Sequence, residues 1–175
     1  MYDLKNSAIH NTTNTGSSSG SGVNAGSAIQ GTRGLVSSLV AVAKYADIKN
    51  CSSKTTMYLT NTTFIAGLVT VLENSNLEEC VLEDSKVETK SGSGSGGLIA
   101  KVTASTVKNN TIKNTLIKTT GGTSNHGILA GISDDASRFT DNKVSGTFQG
   151  NAITLDLAMI GSGNPTVTGT LLYTE

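Results

Sequence analysis

The feature that most constrains this chain is a spacing of residues that recurs four times, at offsets of 0, 3, 5, 8 and 10. A helical face repeats every three or four residues and a strand alternates every two, so neither element alone produces this spacing. Short strands joined by bends do produce it, because a bend adds one residue between two inward-facing positions. The four segments are Ile48-Cys51-Ser53-Thr56-Tyr58, Leu77-Cys80-Leu82-Ser85-Val87, Val107-Asn110-Ile112-Thr115-Ile117 and Phe139-Asn142-Val144-Thr147-Gln149.

A second marker, glycine followed by two apolar residues, precedes each segment. It begins at Gly34, Gly67, Gly97 and Gly127, with separations of 33, 30 and 30 residues. A period near 30 residues that is rich in Gly, Thr, Val and Ile is typical of a solenoid whose repeat is one turn of short strands. The sequence therefore predicts an all-β fold, a parallel β-helix of about five coils with end caps. We expect a right-handed helix, because parallel crossover connections are right-handed.

Offset 3 carries small polar residues, whose hydrogen-bonding groups must find partners in a stacked core. Asn110 and Asn142 are predicted to point inward and to hydrogen-bond the backbone of a bend or the equivalent residue of the next coil. Cys51 and Cys80 share this offset and are predicted to be vertical neighbours. Two buried thiols are favoured over a disulfide, since parallel side-chain directions strain the S–S bond.

Three domains follow from the composition. Residues 1–30 form a Gly/Ser/Thr/Asn-rich arm that is flexible or ordered by assembly, 31–150 hold the β-helix repeats, and 151–175 form a cap or a strand-pairing segment. The SGSGSGG stretch at 91–97 is interpreted as a loop between coils. A short capping helix is considered for the apolar block at 35–45, because end coils need covering.

Charge and hydropathy exclude several functional classes. Lys and Arg number 13, as do Asp and Glu, and only two of the cations are Arg, so no nucleic-acid surface is predicted. No apolar window of about 18 residues exists, which argues against membrane insertion. The N-terminus has no apolar core of a signal peptide. Either Met1 begins a trimmed form of a secreted protein, or the chain is made in the cytoplasm, as viral structural proteins are.

The Gly-Leu-Val/Ile marker and the following Ile/Leu/Val-x-x-Asn/Cys segment resemble the GLUG-type repeats of bacterial surface proteins. The segment Phe139-Thr-Asp-Asn142 is also similar to the F-x-x-N repeats of β-helical autotransporter passengers. The likeness covers about residues 31–150 and holds at the level of the repeat. It implies an extracellular β-solenoid that serves adhesion or display at a cell surface, and it brings no catalytic residues.

The hypothesis that the chain is an enzyme depends on two short sequence elements. Asn125-His126-Gly127 and Ser133-Asp134-Asp135 are similar to elements of polygalacturonases, in which acidic residues protonate the glycosidic oxygen and activate water. Their order is reversed and the basic substrate-binding segment is missing. We therefore interpret Asp134-Asp135 as a solvated turn and His126 as a loop residue. No catalytic residue is predicted, and the chain is not expected to be an enzyme.

Metal and cofactor sites are not predicted either. Two cysteines 29 residues apart and two distant histidines, His10 and His126, do not make a zinc ligand set. A stripe of carboxylates could hold Ca²⁺ weakly, but a solvated face balanced by Lys86 and Lys90 is favoured. The stripe comprises Glu78, Glu79, Glu83, Asp84 and Glu88.

These observations predict a non-enzymatic, extracellular or cell-surface β-solenoid with a structural or adhesive role. Its expected partners are itself, through end-to-end contact or strand addition into a filament or surface layer, or a host-surface protein or glycan. The alternative is a viral or phage fibre or tail component within a virion. Lesser alternatives are an ice-binding protein, prompted by the Thr-rich runs TTMYLTNTT and TIKNTLIKTTGGT, and a polysaccharide-degrading β-helix enzyme.

Overall fold

The chain is a β-solenoid of four turns, with a further set of strands at each end. The computed structural model describes the backbone of 3–5, 8–10, 13–14 and 17–18, and the complete residues 34–59, 63–121 and 125–174. These residues contain strands and no helix, so none of them forms a helix that could span a bilayer.

The strands follow one another around each turn. The N-terminal strands are β1 (Asp3–Lys5), β2 (Ala8–His10), β3 (Thr13–Asn14) and β4 (Ser17–Ser18). Turn 1 consists of β5 (Leu35–Ser37), β6 (Val40–Lys44), β7 (Asp47–Lys49), β8 (Ser52–Ser53) and β9 (Thr56–Leu59). Turn 2 consists of β10 (Phe64–Ala66), β11 (Val69–Glu73), β12 (Asn76–Glu78), β13 (Val81–Glu83) and β14 (Lys86–Thr89).

Turn 3 consists of β15 (Gly94–Gly96), β16 (Ile99–Thr103), β17 (Thr106–Lys108) and β18 (Thr111–Thr119). Turn 4 consists of β19 (His126–Gly127), β20 (Ala130–Ser133), β21 (Arg138–Thr140), β22 (Lys143–Phe148) and β23 (Asn151–Ala152). The C-terminal strands are β24 (Ile160–Ser162), β25 (Thr166–Thr168) and β26 (Leu171–Leu172).

Equivalent strands of successive turns pair side by side into four sheets. Sheet A has the order β1-β6-β11-β16-β20-β24, and sheet B has the order β2-β7-β12-β17-β21-β25. Sheet C runs β3-β8-β13-β18 and β4-β9-β14-β18, and continues to β22 and β26; sheet D is β5-β10-β15-β19. Every described pairing is parallel except that of β22 with β23. The predicted parallel β-helix is thus confirmed, while its handedness stays a prediction.

Apolar residues of equivalent position form columns through the interior. Leu82 pairs with Ile112, and Ile112 pairs with Val144. All three side chains are fully buried. A second column contains Ile48, Leu77, Val107 and Phe139, also fully buried. The columns predicted from the recurring offsets are confirmed.

The three-residue steps in the spacing arise from corners with left-handed backbone. Each corner has a left-handed residue directly before the residue at offset 3: the φ values are 52° for Asn50, 55° for Glu79, 56° for Asn109 and 54° for Asp141. A left-handed residue turns the chain so that the following side chain faces inward again. Asn and Asp tolerate this conformation better than most residues, which fits three of the four.

Two of the four predicted segments contain an error after their third position. In turn 1 the inward side chains are Thr55 and Met57, and the predicted Thr56 and Tyr58 are only half-buried. In turn 4 the core-side positions are Gly146 and Phe148, and Thr147 and Gln149 are displaced by one. The reason is a shorter second corner. Turns 2 and 3 insert a left-handed residue there, Asp84 and Asn114, and turns 1 and 4 have one residue fewer.

The glycine marker is also displaced in turns 1 and 4. The residues in register with Gly67 and Gly97 are Ser38 and Ile128, not Gly34 and Gly127. The capping helix considered for 35–45 is wrong, since this block forms β5 and β6.

The loop interpretation of 91–97 holds for 91–93, which connect β14 to β15, and is wrong for 94–96, because Gly94–Gly96 is the buried strand β15, paired with β10 and β19. A Cβ on Gly96 would overlap the carbonyl oxygen of Ile99. Glycine is needed here for close packing between sheet D and sheet A.

The terminal segments add strands to both ends of the solenoid. Within 1–30, β1 pairs with β6, β2 with β7, β3 with β8 and β4 with β9, all parallel. The remainder of the predicted arm, including 19–30, lies outside the described residues, as do 31–33 of the predicted repeat region. Within 151–175, β24, β25 and β26 pair parallel with β20, β21 and β22. The three-domain division itself remains a prediction.

Candidate interaction surface

The polar residues at the corners connect one turn to the next. Ser75 Oγ accepts a hydrogen bond from the backbone N–H of Ala46 (3.0 Å) and donates one to the carbonyl of Glu73 (2.7 Å). Ser105 repeats this arrangement, accepting from Ser75 N (3.1 Å) and donating to Thr103 O (2.7 Å). Each hydroxyl therefore satisfies a corner backbone group of the preceding turn, so these residues serve the fold.

The Cys/Asn column does the same at the next corner. Cys51 N donates to Cys80 Sγ at 3.4 Å, Cys80 N donates to Asn110 Oδ1 at 2.9 Å, and Asn110 N donates to Asn142 Oδ1 at 3.0 Å. The Asn110 amide nitrogen also reaches the carbonyl of Leu77 (2.9 Å). The predicted inward amides and vertical cysteine neighbours are both confirmed.

The two cysteines are buried thiols and form no disulfide, as predicted. Burial raises the pKa of the Cys80 thiol to about 12. The thiol therefore stays protonated at neutral pH and donates to the carbonyl of Glu78 (3.2 Å). A protonated, enclosed thiol is a poor nucleophile and a poor metal ligand.

The histidine of the polygalacturonase-like element lies in a strand, not in the predicted loop. His126 belongs to β19, and its Nδ1 lies 2.6 Å from Oγ of Ser95. Burial lowers the pKa of His126 below its ordinary value, which favours the neutral ring at pH 7. The ring therefore lies against Ser95 of the neighbouring strand β15, within sheet D, as a neutral hydrogen-bonding group.

The acidic residues of that element have different environments. Asp135 lies exposed in a turn, as predicted. Asp134 instead caps the corner by accepting hydrogen bonds from Ala104 N (2.9 Å), Ser137 N (3.0 Å) and Ser137 Oγ (2.5 Å). Desolvation raises the pKa of Asp134, but these hydrogen bonds outweigh it and the net pKa is lowered. Asp134 is thus held as a carboxylate with a structural task, which is unsuited to a general acid.

The acidic stripe of turn 2 is neutralised mainly by lysines of turn 1. Lys49 Nζ lies 2.9 Å from Glu78, and Lys54 Nζ lies 2.8 Å from Asp84. In a third pair, Lys86 Nζ lies 2.7 Å from Glu88. Of the lysines in these three pairs, only Lys86 was predicted from the sequence to balance the stripe. In the described part of the chain no three His, Cys, Asp or Glu side chains are grouped to hold a metal ion.

Charge alternates from turn to turn. Residues 63–90 contain six acidic residues and two lysines, whereas 91–121 contain four lysines and no acidic residue. Glu78 stands in register with Lys108, and Glu88 with Lys118. Opposite charges on neighbouring strands are favourable and like charges are not, so this alternation supports one stacking order. The stripe contributes to register rather than to a calcium site.

A shallow groove of about 230 Å³ crosses the second corner and is lined by Asp84, Ser85, Lys86, Asn114, Thr115, Leu116, Gly146 and Thr147. Its charged group is already engaged, because Asp84 accepts from Asn114 Nδ2 (2.9 Å) as well as from Lys54. These contacts also lower the pKa of Asp84, with the Lys54 hydrogen bond the largest cause. The groove is a polar surface feature and holds no convergent set of catalytic groups.

The strongest candidate for an interaction is the open end formed by β24, β25 and β26, here called the C-terminal edge. These strands are the last members of sheets A, B and C among the described residues. Val167 and Leu172 occupy the positions of the fully buried Phe139 and Val144, yet they are 38% and 43% exposed. Leu171 is 56% exposed. Core positions of the solenoid are thus presented to solvent beside open backbone edges.

The sequence prediction placed strand pairing or a cap in this segment but named none of these residues. A sequence signal was present: TVT and LL follow turn 4 at the spacing of one more turn, with no charged residue between 157 and 174. Comparison with protein-family models gives no match, and comparisons with curated proteins and with solved structures give none either.

Proposed function

We propose that this chain is a non-enzymatic structural module, a β-solenoid that acts outside a cell or at its surface by displaying its faces and by associating with further copies through its ends. The observation that carries this proposal is the C-terminal edge, where core positions and the edges of three sheets are exposed together. Open parallel edges are templates for strand addition.

The roles of the polar residues support a non-enzymatic function. Catalysis needs titratable groups that converge on a space for substrate. Among the described residues, three groups with a shifted pKa have structural tasks: Cys80 and Asp134 complete corners, and Asp84 joins three turns through Lys54 and Asn114. Their hydrogen bonds connect neighbouring turns of the solenoid.

Energetics favour covering the C-terminal edge. Fully burying a Val or Leu side chain contributes about 1.5–3 kcal/mol. Val167 and Leu172 are 38% and 43% exposed, so covering them contributes roughly half of that for each side chain. Strand addition would also supply partners for the backbone groups of β24–β26. Association must exceed the entropy lost on binding, so an end-to-end contact of this size is expected to depend on concentration.

The extracellular role draws its support from the repeat itself. The Gly-Leu-Val/Ile marker and the F-x-x-N segment are similar to those of surface-displayed solenoids, and turns stacked in columns make a rod that can hold its faces away from a surface. A glycan array with the fluorescently labelled chain tests display-type binding. Recognition of one glycan class would add a partner, and a blank array would restrict the proposal to structural association.

The rows of outward side chains give the ice-binding alternative no support. On sheet C, which holds the described strands of both Thr-rich runs, Thr56 is in register with Lys86 and Lys86 with Leu116, so hydroxyls alternate with charged and apolar groups. An ordered lattice of Thr is not formed along this face.

Sedimentation velocity over a wide concentration range tests the association. We expect the weight-average mass to rise with concentration for the wild type, and the Val167→Lys/Leu172→Lys double variant to associate at least about tenfold more weakly, since it places charges on the apolar end. Thr168→Lys adds a charge to the same strand at an outward position and serves as the control. A wild type that stays monomeric throughout would overturn self-association. Release of reducing ends from polyuronides would overturn the non-enzymatic role.

A further inference from the structure

We propose that copies of this chain stack head to tail, with the C-terminal edge of one copy placed on the N-terminal edge, strands β1–β3, of the next. This inference rests on the self-association proposed above and adds to it the identity and polarity of the two surfaces. Its occupant is a second copy of the same chain.

The two edges are opposite ends of the same three sheets. Sheet A begins with β1 and finishes with β24, sheet B begins with β2 and finishes with β25, and sheet C begins with β3 and has β26 at its other end. The N-terminal edge of a following copy therefore presents three parallel strands in the order and direction that a further turn would have. Contact between copies would continue the contact already made between turns within the chain.

The register of the two edges agrees. Val167 continues a line of paired positions that runs back through Phe139, Val107, Leu77 and Ile48 to Ile9 of β2. Leu172 likewise stands in line with Asn14 of β3, through Val144, Ile112, Leu82 and Ser53. Stacking a second copy in the same phase would place its Ile9 over Val167, so two apolar positions would meet.

A symmetric contact between two C-terminal edges fits less well. A two-fold axis reverses strand direction, so β25 would face its own copy antiparallel while β24 faced β26. Antiparallel and parallel ladders place their hydrogen bonds differently, and the corners, which follow different strand lengths in the three sheets, would lose alignment. The head-to-tail contact keeps the parallel hydrogen-bond ladder and the alignment of the corners. It is heterologous and does not close on itself, so it extends into a filament.

Complementary blocked variants test the polarity. The Val167→Lys/Leu172→Lys variant blocks the C-terminal edge, and Ile9→Lys blocks the N-terminal edge. At a concentration where the wild type forms long assemblies, each variant alone should be monomeric, while an equimolar mixture should stop at a species of two chains. Thr168→Lys and Ala8→Lys, at positions in register with Thr140 and with the exposed Asp47, are the matched controls and should still assemble.

The outcomes separate the two proposals. If the Ile9→Lys variant alone forms dimers and the mixture forms no mixed pair, the contact is symmetric and the head-to-tail inference is overturned, while self-association stands. If neither the wild type nor the mixture associates, self-association itself fails.

Because Ile9→Lys could loosen the first strands, a cross-linking pair provides a second test. Ile9→Cys in one copy and Val167→Cys in another would lie on adjacent strands about 4.8 Å apart, within reach of a short bifunctional thiol cross-linker that does not require disulfide geometry. Treating the mixture with this cross-linker should give a mixed cross-linked dimer at more than about tenfold the yield of Val167→Cys alone. A dominant Val167→Cys homodimer would contradict the inference.

Discussion

Turns 2 and 3 and the C-terminal edge share the same inward-facing positions, but these positions are buried in turns 2 and 3 and partly exposed at the C-terminal edge. In the interior, Leu82 and Ile112 are fully covered, and the polar corner residue Asn110 hydrogen-bonds to both neighbouring turns. At the end, Leu172 of the same column is 43% exposed. Buried hydroxyls without a hydrogen-bond partner do not distinguish the two regions, since among the described residues Thr70 of turn 2 has one as well as Thr170. A solenoid turn is therefore complete only when another turn covers it, and paired substitutions along one column can measure that difference.

The largest contrast is expected in the apolar column. Leu82→Ala removes a fully buried side chain between two turns and should destabilise the chain by about 2–5 kcal/mol, because it leaves a cavity. Leu172→Ala in the same column should cost less than about 1 kcal/mol in the monomer, since much of that side chain is already in water. Urea unfolding at low protein concentration compares them. Equal losses would mean that the end is as well packed as the interior.

The polar corner column should give the next largest difference. Asn110→Leu leaves Cys80 N and Leu77 O buried without their partners and is expected to destabilise the chain by about 2–4 kcal/mol. Thr170→Val, in contrast, removes an orphaned hydroxyl and should be neutral or stabilising by about 1 kcal/mol or less. Thermal unfolding of both variants checks the comparison. A destabilised Thr170→Val would show that the hydroxyl has a partner in solution.

A smaller effect is expected from pH through His126. Its folded pKa lies below the unfolded value because of burial, so the unfolded chain binds more protons between the two values. Stability should be fully present above about pH 6.5, fall as the pH drops below it, and stop changing from this source below the folded pKa. The dependence of the unfolding free energy on pH from this residue corresponds to less than one proton per molecule. Comparing the unfolding free energy of the wild type and of His126→Gln across this pH range isolates the contribution of His126. If the free energy changes with pH in the same way for both from pH 7 to pH 5, burial of His126 is not the cause.

The smallest effect is expected for the surface ion pairs that alternate along the solenoid. Lys49→Ala removes the contact with Glu78, and both groups are partly solvated. The double-mutant cycle with Glu78→Ala should give a small coupling that salt weakens further, because exposed pairs are screened. Unfolding at low and high ionic strength measures it. A coupling that does not change with salt would argue for a buried interaction.

The main elements of the fold could be predicted from the sequence because inward positions recur at a fixed spacing. The columns through Leu82 and Leu77 and the Cys/Asn corner were predictable, since each corner leaves a three-residue step. The shortened corners of turns 1 and 4 were not, because a missing residue changes the phase without changing composition. Local composition also misled at Gly94–Gly96, where glycine signals flexibility. Counting one period from Phe64–Ala66 would have placed this segment in a strand.

The candidate site was harder to predict, since exposure is a property of the assembled turns. Val167 and Leu172 look like ordinary core residues in the sequence, and only the absence of a described strand beyond them makes them a surface. The role of Asp134 as a corner cap could not be predicted from the sequence either, because it also depends on how neighbouring turns contact each other. Turn 4 has one additional residue between Ser133 and Arg138, and the Asp134 carboxylate in this longer corner accepts the hydrogen bond from Ala104 N.

The alternation of charge has a consequence for how such a rod can grow during evolution. Each turn contacts only the turns beside it, so copying one unit of thirty residues would lengthen the rod by about 4.8 Å while preserving most of the packing. A copy of turn 2 inserted next to itself, however, would place Glu78 beside another Glu78. Duplicating residues 63–121 as a pair keeps acidic rows next to basic ones. The segment that can be duplicated without placing like charges on adjacent strands is therefore two turns, even though the repeat of the backbone geometry is one turn.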